Sequence, residues 1–205
     1  MKNIDKPMGL VIAGGESKRM GTDKGSLTYH EKPQRYHLYD MLTGSIDSLC
    51  RTALISCNSD QTTSIAKEYE VIEDLPEYQN IGPMAGLLSA FSKFPNNDFL
   101  VVGCDYPFIT SEHLKIFIKS IKRESLAAAF YNIDDKYEPL LAWYSKEAGP
   151  ALYQYFKDKR YSLQGFLKDC RAEKYKPESE IVMKSVDTPE EFEKVQALLK
   201  KQNIS

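Results

Sequence analysis

Short apolar runs alternate with longer amphipathic stretches along the chain, which is the pattern of an α/β protein. Apolar runs rich in β-branched residues predict strands at 10–12, 52–57, 71–72, 98–104, 126–131, 137–144 and, last, 181–183. Apolar positions at helical spacing predict helices at 33–49, 61–69, 83–94, 113–121, 146–157 and 163–169, and a terminal helix capped by Thr188 or Asp187. This order predicts a mostly parallel sheet between two helical layers, in a single domain spanning 1–205.

Length and composition narrow the class of protein. A chain of 205 residues can bury a sizeable core, and its net charge of −2 excludes a bulk nucleic-acid binder. The four cysteines form no CxxC pair, so we expect free thiols in a reducing compartment and no zinc site. The polar residues 1–7 and the lack of a long apolar run predict a cytoplasmic protein with no membrane partner.

The first predicted strand is followed by a glycine-rich loop with Gly14, Gly15 and Gly21. Such a loop can direct several backbone N–H groups at an anion, and its cations, Lys18, Arg19 and Lys24, add positive charge. The combination favours a triphosphate, with a lysine that offsets charge on the leaving group. The alternative is an ordinary polar loop of an α/β protein. The spacing matches neither GxGxxG nor GxxxxGK[ST], which argues against a standard dinucleotide fold and a P-loop NTPase.

Polar side chains follow the predicted strands where ligands of open α/β sheets bind. Asn58 and Asp74 are candidate nucleotide contacts, but they could also be a turn former and an exposed acid at a helix start. Asp105 follows the most apolar strand, and a carboxylate there can hold Mg²⁺. The alternative role, capping the helix near Ser111, suits Asp105 poorly because it lies too far ahead.

The stretch 13–24 resembles the signature loop of nucleotidyltransferases that activate sugars and cofactors. Its Ala13, Gly14 and Gly15 resemble the form found in molybdenum cofactor guanylyltransferases. The segments 82–86 and 104–109 are also similar to that family, so the resemblance spans most of the chain. It implies a three-layer α/β sandwich with a Rossmann-like sheet of the nucleotide-diphospho-sugar transferase type.

The resemblance also implies roles for individual residues. It places the nucleotide at Ile12, Ala13, Gly14, Gly15, Lys24, Asn58, Asp74, Gly82 and Asp105, and catalysis at Lys24, Asp105 and Arg19. Mg²⁺ is expected on Asp105. The family usually shows Asn-x-Asn before Thr-Pro-Glu, whereas this chain has Ser185 and Asp187, so Asp187 is a second metal candidate.

The activity that the resemblance implies is transfer of GMP from GTP to the phosphate of a molybdopterin cofactor, with release of pyrophosphate. Its implied protein partners are cofactor-delivery proteins or acceptor molybdoenzymes. One alternative is a cytidylyltransferase or sugar-phosphate nucleotidyltransferase, although relatives that use CTP tend to show Ala-Ala-Gly where this chain has Ala13, Gly14 and Gly15. Another is a non-catalytic nucleotide-binding protein of the same fold, against which the intact Lys24 and Asp105 argue.

Overall fold

A computed structural model describes residues 6–13, 23–44, 48–122 and 124–202 of the chain. The strands of this part form one seven-stranded sheet in the order β3-β2-β1-β4-β6-β5-β7. The strands are β1 (Met8–Ile12), β2 (Ala53–Cys57), β3 (Val71–Glu73), β4 (Phe99–Gly103), β5 (Ala127–Tyr131), β6 (Tyr137–Tyr144) and β7 (Glu173–Tyr175). β1 pairs in parallel with β2 and β4, and β2 with β3. β6 runs antiparallel to both β4 and β5, while β7 is parallel to β5, so the sheet is mostly parallel, as predicted.

Helices cover both faces of the sheet. They are α1 (Gln34–Thr43), α2 (Ser59–Thr62), α3 (Met84–Lys93), α4 (Ser111–Ser120), α5 (Ala148–Lys157), α6 (Leu163–Asp169) and α7 (Pro189–Gln202). Side chains of β1 alternate between two cores, with Leu10 and Ile12 packed beside α3 and Val11 beside α1. The result is the three-layer sandwich that the sequence predicts. Within the described ranges, no helix is both long and apolar enough to cross a membrane.

Helix α7 packs through a third, smaller apolar cluster. Its Val195 and Leu199 contact Tyr29, Phe108 and Val186. Thr188 caps the helix, as one of the two predicted alternatives states, because its Oγ1 accepts from the backbone N of Glu191 at 3.3 Å. The carboxylate of Glu191 in turn accepts from the backbone N–H groups of Asp187 and Thr188. This cap fixes the segment that precedes α7.

Two predicted helices are shorter in the structure. The helix predicted at 33–49 ends at Thr43, where Gly44 follows in an extended conformation. Residues 45–47 lie outside the described part of the chain. The helix predicted at 61–69 is a single turn, α2, because Thr62, Thr63 and Ser64 favour helices weakly and the next residues form turns.

The strand predicted at 181–183 is wrong. These residues form the 3₁₀ helix Glu180–Met183, and the last strand is β7, which pairs with β5. Val182 and Met183 are buried in the core beside α1 and α4, whereas Ile181 is exposed. The apolar triplet therefore reflects partial burial of a 3₁₀ helix, and the strand that pairs with β5 is the more polar β7.

Candidate active site

The carboxyl ends of β1, β2, β3 and β4 lie along one edge of the sheet because these strands are parallel neighbours. The residues that follow them, Ala13, Asn58, Asp74 and Asp105, therefore reach the same edge. Gly14, Gly15 and Arg19, predicted as loop and catalytic residues, lie outside the described part of the chain.

Asp105 stands at the centre of this edge. Its Oδ1 is buried and makes no hydrogen bond. Room for this oxygen comes from Gly103, since a Cβ on that glycine would lie 2.4 Å from it. Burial raises the pKa of Asp105 to about 6, and the nearby Lys24 ammonium opposes that rise. At neutral pH the site thus holds a desolvated carboxylate with one oxygen unsatisfied.

Lys24 and Asp187 meet beside Asp105, although they are 163 positions apart in the sequence. The Nζ of Lys24 lies 2.5 Å from Oδ1 of Asp187 in an ion pair that is partly exposed. The backbone N of Val186 donates to the carbonyl oxygen of Asp105 at 3.0 Å, which joins the segment before α7 to the end of β4. Three distant parts of the chain therefore supply the charged groups of one site.

The turn that carries Lys24 is held by Asp23. The Oδ1 of Asp23 accepts from the backbone N of Gly25 at 2.9 Å, and its Oδ2 pairs with the guanidinium of Arg35. Arg35 is 4% exposed and its Nη1 has no hydrogen-bond partner. Its neighbour Gln34 is fully buried, with both side-chain polar atoms unpartnered. The sequence does not indicate that Gln34 and Arg35 are buried, because polar and charged residues at the start of a helix are usually exposed.

Asp74 lies where base or ribose contacts are predicted. Burial raises its pKa to about 6, and the hydroxyl of Ser56 donates to its Oδ1 at 3.4 Å. Helix α3 approaches this point closely, since a Cβ on Gly86 would lie 2.1 Å from the Oγ of Ser56. Gly82 precedes α3 with φ of +63°, a conformation that glycine adopts without strain. Asp74 is therefore a second, partly buried carboxyl group at this edge.

The side chain of Asn58 caps helix α2. Its Oδ1 accepts from the backbone N of Gln61 at 3.0 Å, while the carboxamide oxygen of Gln61 accepts from the backbone N of Asn58. Gln61 also donates to the carbonyl oxygen of Ala13 at 3.3 Å, so α2 is tied to the end of β1. Ile12 is buried within β1. Nucleotide contact by these residues stays a prediction.

The residues at this edge fit a magnesium ion. Mg²⁺ takes oxygen ligands, commonly one or two carboxylates with phosphate oxygens and water completing the shell. Asp105 offers an unsatisfied buried oxygen, and Asp187 brings a second carboxylate close enough to affect the pKa of Asp105. Among the described residues there is no group of three or more His, Cys, Asp or Glu that could hold a metal. A protein-only cage, of the zinc or calcium kind, is therefore not what these residues provide.

A mostly parallel sheet with carboxylates and a lysine at the carboxyl ends of its strands defines an α/β protein whose candidate site lies where ligands of such sheets bind. The chain belongs to the family of the MobA-like NTP transferase domain, whose sequence profile matches residues 9–175. It is a nucleotidyltransferase enzyme.

Three relatives illustrate the similarity. The chain is 26% identical over 169 residues to a probable molybdenum cofactor guanylyltransferase of Bacillus anthracis, covering 82% of each chain. It is 27% identical over 194 residues to a molybdenum cofactor biosynthesis bifunctional protein of Synechocystis, covering 90% of this chain and 52% of that protein. The chain therefore spans about half the length of that relative. The crystal structure of molybdopterin-guanine dinucleotide biosynthesis protein A from Archaeoglobus fulgidus shares the fold, with a TM-score of 0.76, 20% identity, and coverage of 95% and 99%.

Proposed function

We propose that this enzyme transfers GMP from GTP to the phosphate of a molybdopterin cofactor and releases pyrophosphate. The observation that carries the proposal is the buried, unpartnered carboxylate oxygen of Asp105 beside Lys24, at the carboxyl edge of the parallel strands. The names of the relatives support GTP as donor and the molybdenum cofactor as acceptor.

In this proposal the chain's own residues bind and neutralise the triphosphate. The end of β1 and the loop that follows, from Ile12 through Gly15, hold the phosphates through backbone N–H groups. Lys24 and Arg19 offset the negative charge that develops on the departing pyrophosphate. Asp74 and Gly82 contact the base and ribose. Mg²⁺ bound at Asp105 would supply further neutralisation of the triphosphate.

The ion pair between Lys24 and Asp187 places a cation and a carboxylate side by side at the proposed triphosphate site. An ammonium group has three donors, so Lys24 can contact a triphosphate oxygen while Asp187 stays beside it as the second metal candidate. The acceptor needs no general base, because a phosphate is already ionised at neutral pH.

A comparison of four nucleoside triphosphates tests the donor. With Mg²⁺ present, GTP at a hundredfold excess over its dissociation constant should stabilise the protein by about 2.7 kcal/mol, because it binds only the folded state. Thermal unfolding with GTP, CTP, ATP and UTP gives the measurement. Equal protection by CTP would overturn the guanine assignment. Absence of pyrophosphate release from GTP and molybdopterin would refute the transfer reaction.

A further inference from the structure

A cavity of about 630 Å³ opens at the end of the hairpin formed by β5 and β6, and neither Lys24 nor Asp105 lines it. This volume lies within the range of small-molecule sites in proteins. We call it the hairpin pocket and define it by Tyr131, Asp135, Lys136, Lys168, Arg171 and Lys174, which come from the hairpin, α6 and the start of β7. The site described above leaves this cavity without a role.

Positive charge dominates the hairpin pocket. Four of its lining residues, Lys136, Lys168, Arg171 and Lys174, are cations, and Asp135 is the one acid among its lining residues. The lining of the pocket therefore carries a net positive charge, although the whole chain carries a net charge of −2. None of the four cations has an ion-pair partner in the part of the chain that the structure describes. A concave cationic surface of this kind concentrates anions.

The structure holds one of these cations in a fixed position. The Nζ of Lys174 donates to the hydroxyl of Tyr131 at 3.0 Å and lies 4.1 Å from the centre of that ring. The nearest acid in the sequence, Glu173, instead accepts from Ser125 and from the backbone N of Lys122. An ammonium group has three donors, so Lys174 retains donors for a ligand.

The hairpin pocket lies at the same edge of the sheet as Asp105. β5 and β4 run in the same direction because each is antiparallel to β6, which lies between them. Tyr131 at the end of β5 pairs with Tyr137 of β6, whereas Val102 near the end of β4 pairs with Leu141, four residues away along β6. The offset between the two strand ends is therefore about 10 Å across the strands and about 13 Å along them, so the pocket is separate from the candidate active site.

We propose that the hairpin pocket binds a negatively charged group, of the phosphate or carboxylate kind, on a small molecule, and that Lys168, Arg171 and Lys174 bind this group. The anion belongs to a free anionic effector and not to the acceptor, because in the proposed function the phosphate of the acceptor reacts beside Asp105. The presence of this anion site does not rest on the proposed function.

Calorimetric titration of the full chain with inorganic pyrophosphate, without metal, tests the site. The double variant Lys168→Met and Lys174→Met should bind pyrophosphate in the pocket at least tenfold more weakly. Lys24→Ala removes a cation of the candidate active site and should leave the binding of pyrophosphate in the pocket unchanged. Lys119→Met on α4 is the matched control for the loss of an exposed lysine. If the double variant bound pyrophosphate as the wild type does, the proposal would be wrong.

Folding of the double variant is checked by circular dichroism. If it fails to fold, Lys168→Met alone replaces it, since that exposed side chain makes no hydrogen bond or ion pair in the described part of the chain. A weaker but measurable loss of pyrophosphate affinity in this single variant supports the site, and an unchanged affinity refutes it.

Steady-state kinetics separates this pocket from the reacting centre. The double variant should leave the KM of GTP and the KM of the acceptor unchanged, because neither substrate of the proposed reaction binds the cations of the pocket. A rise of about tenfold in the KM of the acceptor would show that the pocket belongs to the acceptor site and would overturn the assignment to a free effector. Failure of the proposed function appears separately, as a lack of protection by GTP.

Discussion

Replacement of Arg35 by methionine tests whether the turn that carries Lys24 depends on a buried ion pair. The side chains of Arg35 and Asp23 are 4% and 26% exposed, and Asp23 also accepts from the backbone N of Gly25. Methionine has a similar length and no charge. The variant therefore leaves Asp23 partly buried without its cation, while the core beside α1 stays filled.

The expected cost follows from burial. Removal of one partner of a buried ion pair usually costs about 3–5 kcal/mol. Water reaches a quarter of the Asp23 side chain, and the Nη1 of Arg35 already lacks a partner, so we expect about 2–3 kcal/mol here. The same helix offers a matched control in the pair of Lys32 with Asp40, which are 54% and 42% exposed. Lys32→Met should destabilise the protein much less than Arg35→Met, because water screens this exposed pair.

Urea denaturation of three variants measures these differences. The double variant Arg35→Met and Asp23→Asn should recover most of the loss, because asparagine keeps the oxygen that accepts from Gly25 and carries no unpaired charge. If Arg35→Met and Lys32→Met cost the same, or if the double variant were less stable than the single one, the turn would not depend on the charge of Arg35.

Two further predictions concern the charged groups at the candidate site. Lys24→Ala should lower kcat and kcat/KM together by roughly 10²–10³-fold, because a preorganised charge acts mainly in the transition state. A rise in KM alone, with Lys32→Ala as the control, would assign Lys24 to ground-state binding instead. Asp105→Asn should abolish turnover yet stabilise the fold, since the pKa of Asp105 rises from 3.8 to about 6 on folding and its ionised form is therefore disfavoured. With EDTA present, the free energy of unfolding of Asp105→Asn should exceed that of the wild type by up to about 3 kcal/mol above pH 6, and this difference should disappear below about pH 4. Equal free energies of unfolding at pH 7.5 would refute the desolvation argument.

The sequence was sufficient to place β1 to β6, but not β7, because the apolar runs of those six strands end at distinct polar residues. The run 98–104 predicts β4, and the position of Asp105 at its carboxyl end follows from the parallel arrangement. The proximity of Asp187 to Lys24 was not derivable from spacing, because a segment after the last strand can return to the sheet at many points.

Local sequence was least informative where burial and pairing favour different structures. The apolar triplet 181–183 predicts a strand, but it forms a 3₁₀ helix that buries Val182 and Met183 and leaves Ile181 exposed. Gln34 and Arg35 are polar residues at a helix start, which are usually exposed, whereas the structure buries both. The hairpin pocket combines residues from three segments, and no motif marks it.

The contact between Lys24 and Asp187 also affects the order in which the molecule folds. It closes a loop of more than one hundred and sixty residues, and closing a loop of that length costs more entropy than closing the shorter loops between neighbouring strands of the sheet. The pairing of Val186 with Asp105 spans a shorter but still long stretch of chain. The charged centre should therefore assemble after the sheet, and a chain that is still emerging from the ribosome should have no competent centre until the segment before α7 has docked.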